Sequence, residues 1–415
     1  MAEIRDFNRN RYLLKSEGLK DDSADSDKKP GSKKQGTMDT MLARHRHVKI
    51  YTALIIFALL ILMALGMYWS WKTKVYADYE VVQQTEWTKS SESKCINLAG
   101  FLFLYSNDGM SCTDTKGKVI WNRTYEMQNP MVRTADKTVA VGDYNGRNIY
   151  ICDTQGSLGT IETTMPIRDF CVSSNGIVAA VLDDSTVTAI YLYSSAGEQL
   201  AYFKTTMSKS GYPIAIDISD DGTQVAVSYI KAGGGEISSS IGFYNFAAVG
   251  QNYTDNLVSA YGYSDAVVPL IGFMDNDTVF AVADNRLMFY QGRQKPESIS
   301  DILISDEIQS VFYDESHVGL VFFNSAGETA YRMEIYDTNA VKTGELDFDL
   351  EYTDVIFDTA SIVIRNDNEC IIYDWDNRLK FEGSFTERVI CMLPTGNISR
   401  YTIVTENARQ LIELQ

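Results

Sequence analysis

The chain has 415 residues, 37 Lys/Arg against 55 Asp/Glu for a net charge of −18, 6 Cys and 3 His. So acidic a polymer repels phosphate backbones, which excludes nonspecific nucleic-acid binding. With His45 and His47 beside an apolar segment and His317 alone elsewhere, no paired-histidine metal site or HExxH motif can be assembled.

Residues 1–49 are polar, with 12 Lys/Arg and 8 Asp/Glu, and carry few hydrophobic anchors after Leu19. Residues 21–36 are mostly Asp, Ser, Lys and Gly, too little apolar surface to offset chain entropy. A disordered cytoplasmic tail is expected. A short helix over 4–14 is open to it, since Ile4, Phe7 and Leu14 fall on one side. Such a tail either docks a cytoplasmic partner or touches anionic lipid through its Lys and Arg side chains.

Residues 50–69 contain no charge, no proline and one glycine. A helix rising about 1.5 Å per residue would span roughly 30 Å there, the thickness of a bilayer's hydrocarbon core. Arg44, Arg46 and Lys49 precede it and only Lys72 and Lys74 follow closely, which places the N-terminus in the cytoplasm and the bulk outside. Tyr68, Trp69 and Trp71 suit the outer headgroups, and Tyr51 the inner. The alternative is a signal peptide cut near Ala77, but signal cores run about 7–15 residues behind short basic leaders. The expectation is an uncleaved signal-anchor in the cell membrane, with 70–78 as linker.

Beyond Tyr79, short runs rich in Val, Ile, Tyr and Phe alternate with turns rich in Gly, Asn and Asp, an all-β pattern. Such runs include 101–105, 139–141, 149–152, 178–182, 189–193, 225–229, 318–323 and 361–364. A strand-into-turn unit recurs with anchors at Asp114, Asp153, Ser194, Asn245, Gln291, Asp337 and Asp374, giving gaps of 39, 41, 51, 46, 46 and 37. That is the spacing of four-stranded propeller blades. The longest gap holds Ala232-Gly233-Gly234-Gly235, a loop insertion. The expected ectodomain, residues 79–415, is a β-propeller of eight blades, with seven as the alternative. The last blade has three strands of its own, and residues 79–87 supply its outer strand, which removes free sheet edges.

In this topology the chain enters at the face bearing the inner hairpin turns, and the opposite face points away from the membrane. Residues 162–168, 204–213 and 231–240 are expected as loops of that outward face. Ser208-Lys209-Ser210-Gly211-Tyr212 offers a cation, hydroxyls and an aromatic, and Arg168 lies on the neighbouring connection. Arg168, Lys204, Lys209 and Tyr212 are therefore the candidate ligand or partner contacts; an ordinary exposed loop is the structural alternative.

No catalytic residue is assigned. His317 reads as a turn residue, and no Ser–His–Asp order surrounds it. Cys95, Cys112, Cys152, Cys171, Cys370 and Cys391 form no CxxC and fall in strands, so buried thiols are expected in preference to metal or redox chemistry. Asp143-Tyr144-Asn145-Gly146 and Ser219-Asp220-Asp221-Gly222 resemble calcium loops but lack the full ligand series, so no metal is expected. Residues 114–121, ending in Trp121, resemble the tryptophan-docking motif of quinoprotein propellers. The motif recurs without the tryptophan, which argues for shared architecture and against a quinone, and no cofactor is expected. Paired carboxylates such as Asp183-Asp184 or Asp220-Asp221 leave an envelope glycan enzyme as the alternative, although adjacent residues do not give the facing geometry of about 5–10 Å that such chemistry needs.

Several stretches carry a resemblance: Asp78-Tyr79-Glu80-Val81-Val82, residues 121–128, 163–170 and 204–213, Asn285-Arg286-Leu287-Met288-Phe289-Tyr290 and Glu351-Tyr352-Thr353-Asp354. Together they resemble an uncharacterised family of bacterial single-pass membrane proteins with propeller-like repeats, a domain of unknown function. The resemblance spans nearly the whole chain and transfers no catalytic residues. It implies bacterial origin, and with it an Asn122-Arg123-Thr124 sequon left unglycosylated. The combined expectation is an integral membrane binding, scaffold or sensor module for a protein or cell-envelope partner, with no catalysis and no nucleic acid.

Overall fold

The computed structural model describes residues 35–86, 93–114, 116–184, 187–205, 210–233, 235–325 and 327–415. Two compact units appear, residues 1–72 and 73–415. In the first, one helix runs Gln35–Lys72, and its stretch Lys49–Ser70 is long and apolar enough to cross a membrane. Its large side chains, among them Leu54, Phe57 and Leu62, stand exposed. The helix starts ahead of residue 49, so part of the expected disordered tail is helical. The helix expected over 4–14 lies outside the described residues.

The second unit is an all-β propeller of eight four-stranded blades, each antiparallel. The blades span residues 94–124, 130–162, 167–205, 212–263, 270–303, 308–348, 354–384 and 391–414, and eight, not seven, close the ring. The expected repeat anchors all mark the end of a blade's third strand. Asp153, Asn245, Gln291 and Asp337 are the last residues of such strands, and Asp114, Ser194 and Asp374 follow one directly. The reason is local. The Asp114 carboxylate accepts the N–H groups of Lys116 and Lys118, Asp337 those of Asn339 and Val341, and Asp374 those of Asp376 and Arg378. An aspartate there folds the turn to the outer strand by itself, and in blades 3 and 4 Ser194 and Asn245 take its place, accepting the N–H groups of Glu198 and Ala247.

Blade 8 takes its outer strand from the front of the chain. Tyr79–Glu86 pairs antiparallel with Ala408–Leu414, with Tyr79 opposite Leu414 and Glu86 opposite Ala408. The linker residues 76–78 belong to the ring. Tyr76 is buried between blades 7 and 8, its N–H bonded to Lys380 O at 2.7 Å, and the Ala77 N–H reaches Gln415 O at 2.8 Å.

Second strands such as Val178–Asp183 read as unbroken apolar runs because both faces pack on neighbouring blades. Outer strands alternate instead: Gln199–Thr205 buries Phe203 and Thr205 while Gln199, Leu200, Tyr202 and Lys204 meet water. Eight apolar clusters result, one at each junction between blades. Each buried Leu, Ile, Val or Phe in them contributes about 1.5–3 kcal/mol. Polar ties supplement the clusters. Trp121 Nε1 in blade 1 donates to Asp153 O in blade 2 at 3.0 Å, the inter-blade link that its docking-like motif suggests.

Candidate functional site

Each blade presents two sets of turns. Turns from first to second and from third to fourth strands share the face where the chain enters at Tyr79. The connections between blades and the second-to-third-strand turns share the opposite face, called here the connection face.

On the connection face the inner strand of blade 3, Ile167–Val172, begins with a bulge. Its pairing slips between Ile167↔Leu182 and Asp169↔Val181, leaving Arg168 as the extra residue. Bulges re-aim a side chain. The Arg168 guanidinium turns onto the neighbouring turn, donating through Nη1 to Asn145 Oδ1 and lying 5.8 Å from the centre of the Tyr144 ring. Its Nε is 3.4 Å from the Asp183 carboxylate, buried, and without a hydrogen bond. Asn145 holds a left-handed φ of 65°, which its short amide tolerates. Tyr212 opens the inner strand of blade 4. Burial and the nearby Asp183 charge push its hydroxyl pKa up, against the opposing pull of Arg168. Beside this group, on the far side of Tyr144, is a pocket of about 480 Å³ lined by Lys94, Tyr105, Asn107, Gln128, Asn129 and Tyr144.

Two of the four residues expected from sequence, Arg168 and Tyr212, thus fall together, joined by Tyr144, Asn145 and Asp183. Lys204 stands apart, exposed on the outer strand of blade 3 opposite Ala189. Lys209 lies outside the described residues. The expected loop over 231–240 is instead a long hairpin. Gln224–Gly233 and Glu236–Asn245 stay paired to their tip at Gly233↔Glu236, with Ser239 buried and Lys231, Ala232 and Ile237 exposed beyond it.

A larger cavity of about 1340 Å³ occupies the middle of the ring, lined by the inner strands. It is acidic, and Arg168 is not among its described lining residues. Arg133 and Asp169 pair across blades 2 and 3 at 2.8 Å. Asp217 accepts the Phe273 N–H at 2.7 Å, tying blade 4 to blade 5, and burial pushes its pKa up to about 7. At the chain-entry end Asp136, Asp220 and Glu315 come from blades 2, 4 and 6. Burial raises the pKa of both Asp220 and Glu315, and each is raised further by other carboxylates including Asp136.

The adjacent carboxylates considered from sequence do not converge. Asp183 turns to Arg168 and the Thr188 hydroxyl, while Asp184 accepts the Val187 N–H. Asp220 faces the channel, whereas Asp221 accepts from Ser219 and Thr223 and pairs with Arg293 at 3.1 Å. Asp143 instead holds the connection from blade 1, accepting the N–H groups of Gln128 and Asn129. Among the described residues no group of three or more His, Cys, Asp or Glu is placed to hold a metal ion. His317 lies in the turn that closes on Asp314 and stacks on Trp375 with ring centroids 4.0 Å apart. All six cysteines are thiols, five of them buried.

Comparison with solved structures gives a likeness in fold. BamB from Moraxella catarrhalis is 11% identical over 81% of this chain and 100% of its own, with a TM-score of 0.49. A eukaryotic initiation factor is 12% identical over 79% of this chain and 87% of its own, with a TM-score of 0.50. No curated protein matches the chain. The profile of a family of unknown function, DUF5711, matches residues 72–414. The match covers the propeller from the end of the helix to the last strand, and the chain belongs to the DUF5711 family.

Proposed function

We propose that the protein is a membrane-anchored, extracytoplasmic propeller that acts as a binding, scaffold or sensor module for a protein or cell-envelope component. In this reading the N-terminus is cytoplasmic, the ring is outside, and the partner sits on the connection face. The observation that carries it is the Arg168 group: a bulged arginine with a buried Nε lacking a hydrogen bond, beside Tyr144, Asp183 and Tyr212, next to a recessed pocket. Aromatic and arginine side chains in a shallow, partly desolvated setting are the usual anchors of a protein contact. Lys204, apart from this group, and Lys209, from sequence alone, are kept in this reading as further candidate contacts. The test is a pull-down from crosslinked cells with the full chain and with Arg168→Ala, Tyr212→Ala and Lys209→Ala. The reading expects a partner whose recovery falls at least about tenfold with Arg168→Ala or Tyr212→Ala. Recovery of no partner that depends on any of these side chains counts against it.

The channel favours a second reading, an envelope glycan enzyme, because carboxylates from different blades face one space and Asp217 has a pKa near neutrality. Sugar release from purified envelope glycan that is lost in Asp217→Asn would support it.

A further inference from the structure

We propose that Cys95 and Cys391 are a dithiol that closes to a disulfide and clasps the ring at its seam. Cys95 is the second residue of blade 1's inner strand, Lys94–Leu98, and Cys391 the first of blade 8's inner strand, Cys391–Asn397. The two strands run side by side with Cα atoms within 8 Å. The Cys95 side chain packs against the apolar cluster that holds Cys391. A disulfide needs Cβ atoms about 3.5–4.5 Å apart, and two thiols packed in one cluster between neighbouring inner strands reach that by rotating side chains, with the strands in place.

The position gives the pair its consequence. Among the described residues the junction of blades 8 and 1 buries Leu102, Cys391, Leu393 and Val404, with Cys95 and Leu104 against them. The next junction, between blades 7 and 8, buries among others Tyr76, Val363, Ile372, Phe381, Phe385 and Tyr401. The seam is therefore where the ring opens most readily, and the thiol pair sits on it. Cys112 and Cys152 also lie near each other, but both are fully buried. Burial pushes Cys112 and Cys152 up to about 11 and Cys370 up to about 12, and raises Cys171 as well, which keeps them inert. Cys391 moves the other way because Cys95 donates to its thiolate.

The oxidant is an external disulfide. Cys95, the half-exposed member, loses its proton, attacks that disulfide and releases one reduced thiol. The Cys391 thiolate then attacks the Cys95 sulfur of the mixed disulfide and releases the second. Two protein thiols are oxidised and one external disulfide is reduced to two thiols. The inference concerns closure of the ring and does not rest on the identity of any partner.

The test treats the full chain in detergent with oxidised glutathione, alkylates the remaining thiols after denaturation, and maps the peptides by mass. The expected product is a single species joining the Cys95 and Cys391 peptides with the chain lighter by about 2 Da. Its unfolding midpoint rises by roughly 5–10 °C, dithiothreitol reverses the rise, and Cys95→Ser and Cys391→Ala each abolish it. Cys95→Ser, at a half-exposed position, keeps the test open if Cys391→Ala does not fold. Separate glutathionylation of the two, full alkylation of both, or a cross-link without a change in midpoint would overturn the proposal.

Discussion

Tyr79 lies directly across from Leu414, so the first strand of the ring and its last share one sheet. The pairing continues to Glu86↔Ala408. Prolines at Val81→Pro and Gln84→Pro remove donors from this ladder and leave the third strand of blade 8 as a free edge. Such a chain is expected to lose about 3–6 kcal/mol of stability. In hydrogen-exchange mass spectrometry, residues 408–414 should exchange roughly tenfold faster or more while blades 3–5 keep their protection.

Trp121 tests the polar tie between blades. Trp121→Phe keeps the aromatic contact with Phe103 but deletes the hydrogen bond to Asp153 O, leaving a half-buried acceptor. A loss of about 1–2 kcal/mol is expected in urea unfolding. Trp375→Phe removes a bond to Asp358 O inside blade 7 and should cost a similar amount.

Gly197 tests how closely blades approach. It holds φ of 89°, and a Cβ there would lie 2.2 Å from Thr160 O in the outer strand of blade 2. Gly197→Ala meets both the left-handed penalty and a backbone clash that no side-chain rotation relieves. We expect about 2–4 kcal/mol of destabilisation, read from the shift in denaturant midpoint.

Asp217 gives a pH dependence. Its pKa is pushed up to about 7 by burial, above an unfolded value near 3.8. A group with a raised folded pKa contributes stability that is full below the unfolded pKa and is lost as pH rises through the folded one. Asp217→Asn keeps an acceptor for the Phe273 N–H and cannot ionise. Relative to wild type it should be neutral near pH 4 and more stable by about 1–2 kcal/mol near pH 8, since water in the channel screens part of the cost. Urea unfolding at the two pH values checks this.

Much of this fold was legible because it repeats. Second and third strands announce themselves as apolar runs, since blades cover both their faces, and the turn-folding aspartates at Asp114, Asp337 and Asp374 mark the third strands of blades 1, 6 and 7. Inner strands were harder to see. Tyr212–Ile218 and Ile308–Tyr313 mix polar and apolar residues, because one side lines a water-filled channel. The acidic channel is likewise invisible in order along the chain: Asp136, Asp220 and Glu315 meet only when six blades have been wound. At the connection face, the spacing pointed to Arg168 and Tyr212. It could not reveal the bulge that turns Arg168 toward Asn145 and Tyr144, since a register slip has no residue signature. Residues 231–240 misled because a glycine run reads as a loop, whereas here the hairpin simply continues to its tip.

The central claim is that a partner docks on the connection face around Arg168. The most direct measurement places photoreactive benzoylphenylalanine at Tyr144, Tyr212 or Val341 of the full chain in cells, Val341 being exposed on a turn of the opposite face. The account predicts one discrete adduct from Tyr144 and Tyr212, weakened by Arg168→Ala, and none from Val341. Adducts from Val341 alone, or equal adducts from both faces untouched by Arg168→Ala, would contradict it.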